Sequence, residues 1–188
     1  MTLFNNYLIL RHGSAVSNKK GIASSWPEKF HNPLTKKGKK QIQKLISKLK
    51  KKDINLILSS DLLRAKQTAE IISNELAVEV KFNECLREID FGIFNGKLLK
   101  QWKDFFKTKK EKFTRKPSKG ENYKDLIIRT KKFIKKVEKK YKKKNVLVIS
   151  HGANLVVFQA IIEGLSQDKI IKNKNKLLLE TGELRILK

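Results

Sequence analysis

The stretch YLILRHGSAVSN, Tyr7–Asn18, decides how this chain folds. Four apolar residues run into an arginine, a histidine and a glycine, and small polar residues follow. A compact apolar run that ends in turn-formers reads as a buried strand, with Arg11-His12-Gly13 at its mouth. The chain has 38 lysines but only 6 arginines and 3 histidines, so an arginine beside a histidine at that place is informative.

Working outward, INLILSS (54–60) and NVLVIS (145–150) repeat the pattern of a buried strand that stops at polar residues, and VEVKF (78–82) fits a further strand. Helical spacing lies between them. Ile42, Leu45, Ile46 and Leu49 mark one apolar face of a helix within LTKKGKKQIQKLISKLKK (34–51), with Thr35 as its N-cap. DLLRAKQTAEIISNEL reads as a helix starting near Ser60 or Asp61. Leu98, Leu99, Trp102, Phe105 and Phe106 have helical spacing within 97–112. A long helix over about 122–142 turns Leu126, Ile127, Phe133, Ile134, Val137 and Tyr141 inward, and ANLVVFQAII is helical after His151-Gly152. The tail KLLLETGELRILK reads as two strands around Thr181-Gly182. Strands alternating with helices predict a three-layer α/β/α architecture with a mostly parallel central sheet, as a single domain over 1–188.

Composition narrows the partners. A net charge of +26 is the mark of polyanion binders, yet lysine is spread along the whole chain and few aromatics interleave with it. The lysine clusters at 50–52 and 142–144 sit at predicted helix ends, where cations favour the dipole. A solvated lysine-rich surface is the plainer reading, and nucleic acid is not the expected partner. Cys85, the only cysteine, makes no internal disulfide. No basic leader precedes an apolar region, and no apolar run is long enough to span a bilayer, so a cytoplasmic protein with no membrane partner is expected.

In a parallel sheet, ligands bind beyond the carboxyl ends of the strands. Three such ends carry chemistry: Arg11-His12-Gly13, Ser59-Ser60 leading to Arg64, and His151-Gly152. A lone strand-end histidine is usually structural, and a lone arginine usually an ion pair, here Arg64 with Asp61. Two histidines flanked by glycine, with arginines at matching depth, read instead as a phosphate pocket. The planar guanidinium fork matches phosphate oxygens, and the first helical turn holding Arg64 offers free backbone N–H groups.

The segments LILRHG, SSDLLRAKQTA, LREIDFGIFNG and VLVISHG, in that order, resemble the motifs of the histidine phosphatase superfamily, the phosphoglycerate mutase-like proteins. The resemblance spans Leu8 to Gly152. It implies a phosphomonoester hydrolase that acts on a small phosphorylated metabolite through a phosphohistidine intermediate. By that resemblance His12 is the nucleophile, and Arg11, Arg64 and His151 hold the phosphoryl group. Glu88 is the proton donor to the leaving oxygen, and Asn18 is a further phosphate contact. The two guanidinium groups and His151 supply the donors, so no metal or other cofactor is expected. One cysteine and three dispersed histidines give no metal-ligand spacing either.

Departures from the family pattern bear on substrate. Ser14-Ala15 follows the RHG, Phe94-Asn95-Gly96 stands for Trp-Glu-Gly, and Gly120-Glu121-Asn122 for Gly-Glu-Ser. His31, in FHNPLT, is read as a loop residue. Residues 91–123 correspond to the family's cover segment, where the Trp102 stripe reads mainly as core. Phosphoglycerate mutase and protein phosphohistidine phosphatase are the alternative activities, and a non-catalytic polyanion-binding protein the alternative class. The resemblance of LREIDFGIFNG to phosphatases of sugar or α-ribazole phosphates favours the hydrolase; oligomeric state stays open.

Overall fold

The computed structural model describes residues 3–187, so residues 1, 2 and 188 of the expected 1–188 domain lie outside it. In chain order the elements are β1 (Asn6–Arg11), α1 (Val16–Lys20), α2 (Lys36–Gln43), α3 (Ile46–Lys50), β2 (Leu56–Ser59), α4 (Leu63–Leu76) and β3 (Val80–Phe82). Single 3-10 turns at Glu84–Leu86 and Gly92–Phe94 lead to α5 (Leu99–Asp104) and α6 (Glu111–Thr114). Then come α7 (Tyr123–Lys140), β4 (Asn145–Ser150), α8 (Gly152–Ile162), α9 (Gln167–Leu177) and β5 (Leu184–Ile186).

The sheet order is β3-β2-β4-β1-β5, with only β5 antiparallel. Alternation along each strand divides the apolar residues between two faces. Leu8, Leu10, Ile57, Leu147 and Ile149 pack under α2, α3 and α4 through Ile42, Leu49, Ala65 and Ile72. Tyr7, Ile9, Leu58, Val146 and Val148 pack on the other side against Phe133, Ile134, Leu155 and Phe158 of α7 and α8. The expected three-layer α/β/α arrangement follows. Each fully buried Leu, Ile or Val contributes about 1.5–3 kcal/mol by leaving water. Among the described residues, no helix is long and apolar enough to cross a membrane.

The register matters most for function. Arg11 pairs with Ser150 across β1 and β4, and Ser59 pairs with Ile149 across β2 and β4. The three strand ends singled out in the sequence therefore lie side by side at one edge of the sheet.

Several local readings need correction. The helix expected within 34–51 is capped by Thr35, whose Oγ1 accepts from Gly38 N at 3.0 Å, but it breaks at Lys44-Leu45 into α2 and α3. The 97–112 helix is two short pieces, because the polar run Lys107–Lys110 offers no apolar face to carry it on. Trp102, Phe106, Phe113 and Tyr123 join Val156, Val157 and Ile170 in a third core cluster. In the tail only Leu184–Ile186 is a strand. The first expected strand is instead the end of α9 followed by an extended crossing, and only Leu184–Ile186 pairs with β1. Helix α9, with few apolar residues, and the five-residue α1 left too little periodicity to be read.

Candidate active site

His12 follows β1 directly. Its backbone N–H donates to Ser150 O at 3.0 Å, which ties the loop to β4. The ring's Nδ1–H donates to the carbonyl of Gly13 at 2.8 Å, which leaves the lone pair on Nε2. Nε2 accepts from Nε of Arg64 at 3.1 Å. Gly13 stands where it does because α2 lies against it: a Cβ there would meet Gly38 O at 2.7 Å, and one on Gly38 would meet Ser14 O at 2.1 Å. Two glycines back to back let α2 press on the histidine loop.

His151, next after β4, is the N-cap residue of α8, and its ring centroid lies 5.0 Å from that of His12. Its Nε2 is 2.8 Å from Ser60 Oγ, and that hydroxyl also accepts from Leu62 N at 3.3 Å. With the hydroxyl proton given to Nε2, the ring's own proton sits on Nδ1, a buried atom with no protein partner. Burial first, then the charges of Arg64 and Arg11, hold the His12 imidazole well below the ordinary histidine range. Burial and Arg64 do the same for His151. Both rings are neutral.

Arg64, on the first turn of α4, is 3% exposed. Besides His12 it reaches Ser24 Oγ at 3.3 Å, Ser24 O at 2.9 Å and Glu28 Oε1 at 3.2 Å. Burial lowers its pKa to about 10, against the opposing pull of Glu88 and Glu28, so the guanidinium stays charged at neutral pH. Arg11 donates from Nη1 to Leu179 O at 2.7 Å, and its buried Nε has no partner. Gly182 N donates to the carbonyls of Arg11 and His12, both at 3.1 Å, so the crossing between α9 and β5 straps the loop.

Glu88 joins the cluster from the segment after β3. Its Oε1 accepts from Ile89 N and Ala153 N at 3.0 Å and from Asn154 N at 3.3 Å, at the start of α8. Oε2 takes none of these bonds. The simple ion pair of Arg64 with Asp61 does not form: Asp61 pairs with Arg87, and Arg64 with Glu28. Asn18 is apart. It is exposed, and its Oδ1 accepts from Ala15 N at 2.9 Å as a cap of α1.

The structure thus gathers Arg11, His12, Arg64, His151 and Glu88, and adds residues that the sequence reading did not assign. Ser60 orients His151, while Ser24 and Glu28 brace Arg64. Arg129 holds the Glu88 loop by donating to Glu88 O at 3.0 Å and Cys85 O at 2.7 Å, and it pairs with Glu121 at 2.7 Å. The rarity of arginine was the available signal, since four of the six arginines gather here. Beside Glu88 opens a cavity of about 330 Å³, walled by Trp26, Arg87, Asp90, Glu121 and Arg129. His12 and His151 are sealed from solvent, at 2% and 0% exposure.

Residues 7–182 match the family model of the histidine phosphatase superfamily (branch 1). Phosphoserine phosphatase 1 of Hydrogenobacter thermophilus is 27% identical over 141 residues, 72% of this chain and 67% of that protein. The adenosylcobalamin/alpha-ribazole phosphatase of Escherichia coli is 26% identical over 165 residues, 84% of this chain and 78% of that protein. The structure of mycobacterial glucosyl-3-phosphoglycerate phosphatase in complex with VO3 superposes with a TM-score of 0.81 at 21% identity, covering 95% of this chain and 88% of that one. That last likeness is one of fold, the phosphoglycerate mutase-like α/β fold.

Proposed function

This chain belongs to the histidine phosphatase superfamily, and on that premise we propose that it hydrolyses phosphomonoesters of small metabolites by way of a phosphohistidine at His12. The observation that carries the reading is the tautomer of His12. Nδ1–H is held by Gly13 O at 2.8 Å, and the Nε2 lone pair is aimed at a charged guanidinium 3.1 Å away, where a phosphoryl group would dock.

The steps follow from the groups present. Arg11, Arg64 and the Nδ1–H of His151 hold the phosphoryl oxygens; the buried, partnerless Arg11 Nε and His151 Nδ1 are donors that an oxyanion would satisfy. His12 Nε2 attacks phosphorus, the P–O ester bond breaks, and the departing oxygen takes a proton from Glu88 Oε2. Water then attacks the phosphohistidine, Glu88 takes its proton, and the P–N bond breaks to release phosphate and neutral His12. Charge on the equatorial oxygens is met by guanidinium groups, so no metal need take part. Asn18 would serve as a further phosphate contact by leaving its cap on α1, and residues 91–123 as the cover of the pocket.

The test is release of phosphate from p-nitrophenyl phosphate in excess chelator, with an acid-labile phosphoryl label trapped on the protein. Both are expected, and both are expected to vanish in His12→Ala. Turnover that survives this substitution, or that a chelator abolishes, would overturn the reading.

A further inference from the structure

Lys112 on α6 and Lys174 on α9 turn toward the protein rather than into water. The Lys112 ammonium lies over the rings of Trp102 at 5.0 Å and Phe106 at 5.5 Å, and the Lys174 ammonium lies over the ring of Tyr123 at 5.0 Å. All three rings belong to the aromatic core cluster. The two lysine nitrogens come within hydrogen-bonding reach of each other. Lys109 joins them around a cavity of about 10 Å³, whose other walls are Phe113, Tyr123, Ile170 and Ile171.

Like charges gathered between apolar walls need a counter-charge, and the protein supplies little. No carboxylate lines the cavity. The acids of α5 and α6 are engaged elsewhere: Asp104 takes Lys100 at 2.5 Å, and Glu111 takes Arg115 at 3.6 Å and the backbone N–H of Lys107 at 3.0 Å. Ring faces attract the ammonium groups but carry no net charge. Burial, then Lys174 and Lys103, push the Lys112 ammonium down to about 8. Burial lowers Lys174 as well, against a pull from Glu88. At neutral pH Lys112 still holds its proton, so the ammonium groups face a cavity built only of cations and apolar surface.

The volume sets the class of ligand. About 10 Å³ admits one particle the size of a water molecule, which a halide ion matches and a tetrahedral oxyanion exceeds. We propose that Lys112 and Lys174 form a binding site for one chloride-sized anion, shared between their ammonium groups, which ties α6 to α9. Helix α9 runs on to Leu179 and Gly182, which hold Arg11 and its loop, so the anion braces that strap from the side of the 91–123 segment. The site stands whether or not the phosphatase reading does.

The experiment follows the Lys112 side chain by NMR in full-length protein carrying isotope-labelled lysine, its signal assigned by its loss in Lys112→Met. The signal is titrated with pH in sodium gluconate, chloride and sulfate at equal ionic strength. In gluconate the midpoint is expected at about 8. An anion that binds only the protonated pair raises the midpoint by about one pH unit once its concentration is about tenfold above its Kd. A rise of that order is expected in chloride, saturating with concentration and absent in Lys174→Met. A midpoint that chloride does not move overturns the proposal. So does a rise shared by exposed lysines such as Lys36, a rise as large in sulfate, or one that survives in Lys174→Met. Should Lys174→Met fail to fold, saturation in the native protein decides, and a shift that climbs without limit overturns the site.

Discussion

Arg64 donates from Nε to His12 Nε2 across 3.1 Å, so the guanidinium that would grip a phosphate occupies the lone pair that would attack it. A phosphoryl group entering between them gives Arg64 a better, anionic acceptor and uncovers the ring nitrogen in one event. Arg64→Lys keeps the charge but loses the planar fork and the braces to Ser24 and Glu28. We expect kcat/KM for p-nitrophenyl phosphate to fall by about 10²–10³, the range seen when one transition-state donor is removed. A change under threefold would show that Arg64 does not touch the reacting group.

Glu88 presents Oε2 while Oε1 is fixed by three backbone N–H groups. Glu88→Gln retains the shape and an acceptor for those donors but has no proton to deliver. Alkyl phosphates, with poor leaving groups, should lose about 10²–10⁴ in kcat, and aryl phosphates with good ones far less. Equal losses in the two series would remove Glu88 from the proton-donor role.

Buried neutral imidazoles tie stability to pH. His12 and His151 have folded pKa values below the unfolded value near 6.5. Between those limits the unfolded chain binds protons that the folded chain refuses. Stability is therefore complete above about pH 6.5 and lost as pH falls below it, at about 1.4 kcal/mol per pH unit for each ring. Urea titrations at pH 7.5, 6.0 and 5.0 measure this, and His151→Asn should flatten the slope by roughly half. A flat profile in the native protein would mean that both rings are charged in the fold.

Gly38 has no room for a methyl group, since a Cβ would lie 2.1 Å from Ser14 O. Gly38→Ala improves helix propensity in the abstract, yet here it must push α2 off the His12 loop. The expected result is a loss of about 1–3 kcal/mol in urea denaturation together with reduced turnover. A stabilised variant with full activity would contradict the contact.

Much of this was legible in the sequence because strand ends are punctuated chemically. Arg11-His12, Ser59-Ser60 and His151-Gly152 each close an apolar run, and parallel pairing brings them level without further instruction. Glu88 was legible only through its surrounding motif, since nothing in its spacing shows that its carboxylate reaches the first turn of α8. Glu28 and Ser24 were not legible at all. They sit in an aperiodic loop and reach Arg64 through 36 and 40 positions of sequence separation, contacts that no local pattern encodes. The missing α9 and the misread tail share a cause: both depend on which surface is left free after the sheet forms, a tertiary matter.

The strap between α9 and β5 has a consequence for biosynthesis. Arg11 emerges early from the ribosome, but the carbonyl that steers its guanidinium belongs to Leu179, 168 positions later, and the amide that pins its loop belongs to Gly182. A nascent chain stalled before those residues would carry Arg11 and His12 without the carbonyl that holds the guanidinium or the amide that pins the loop.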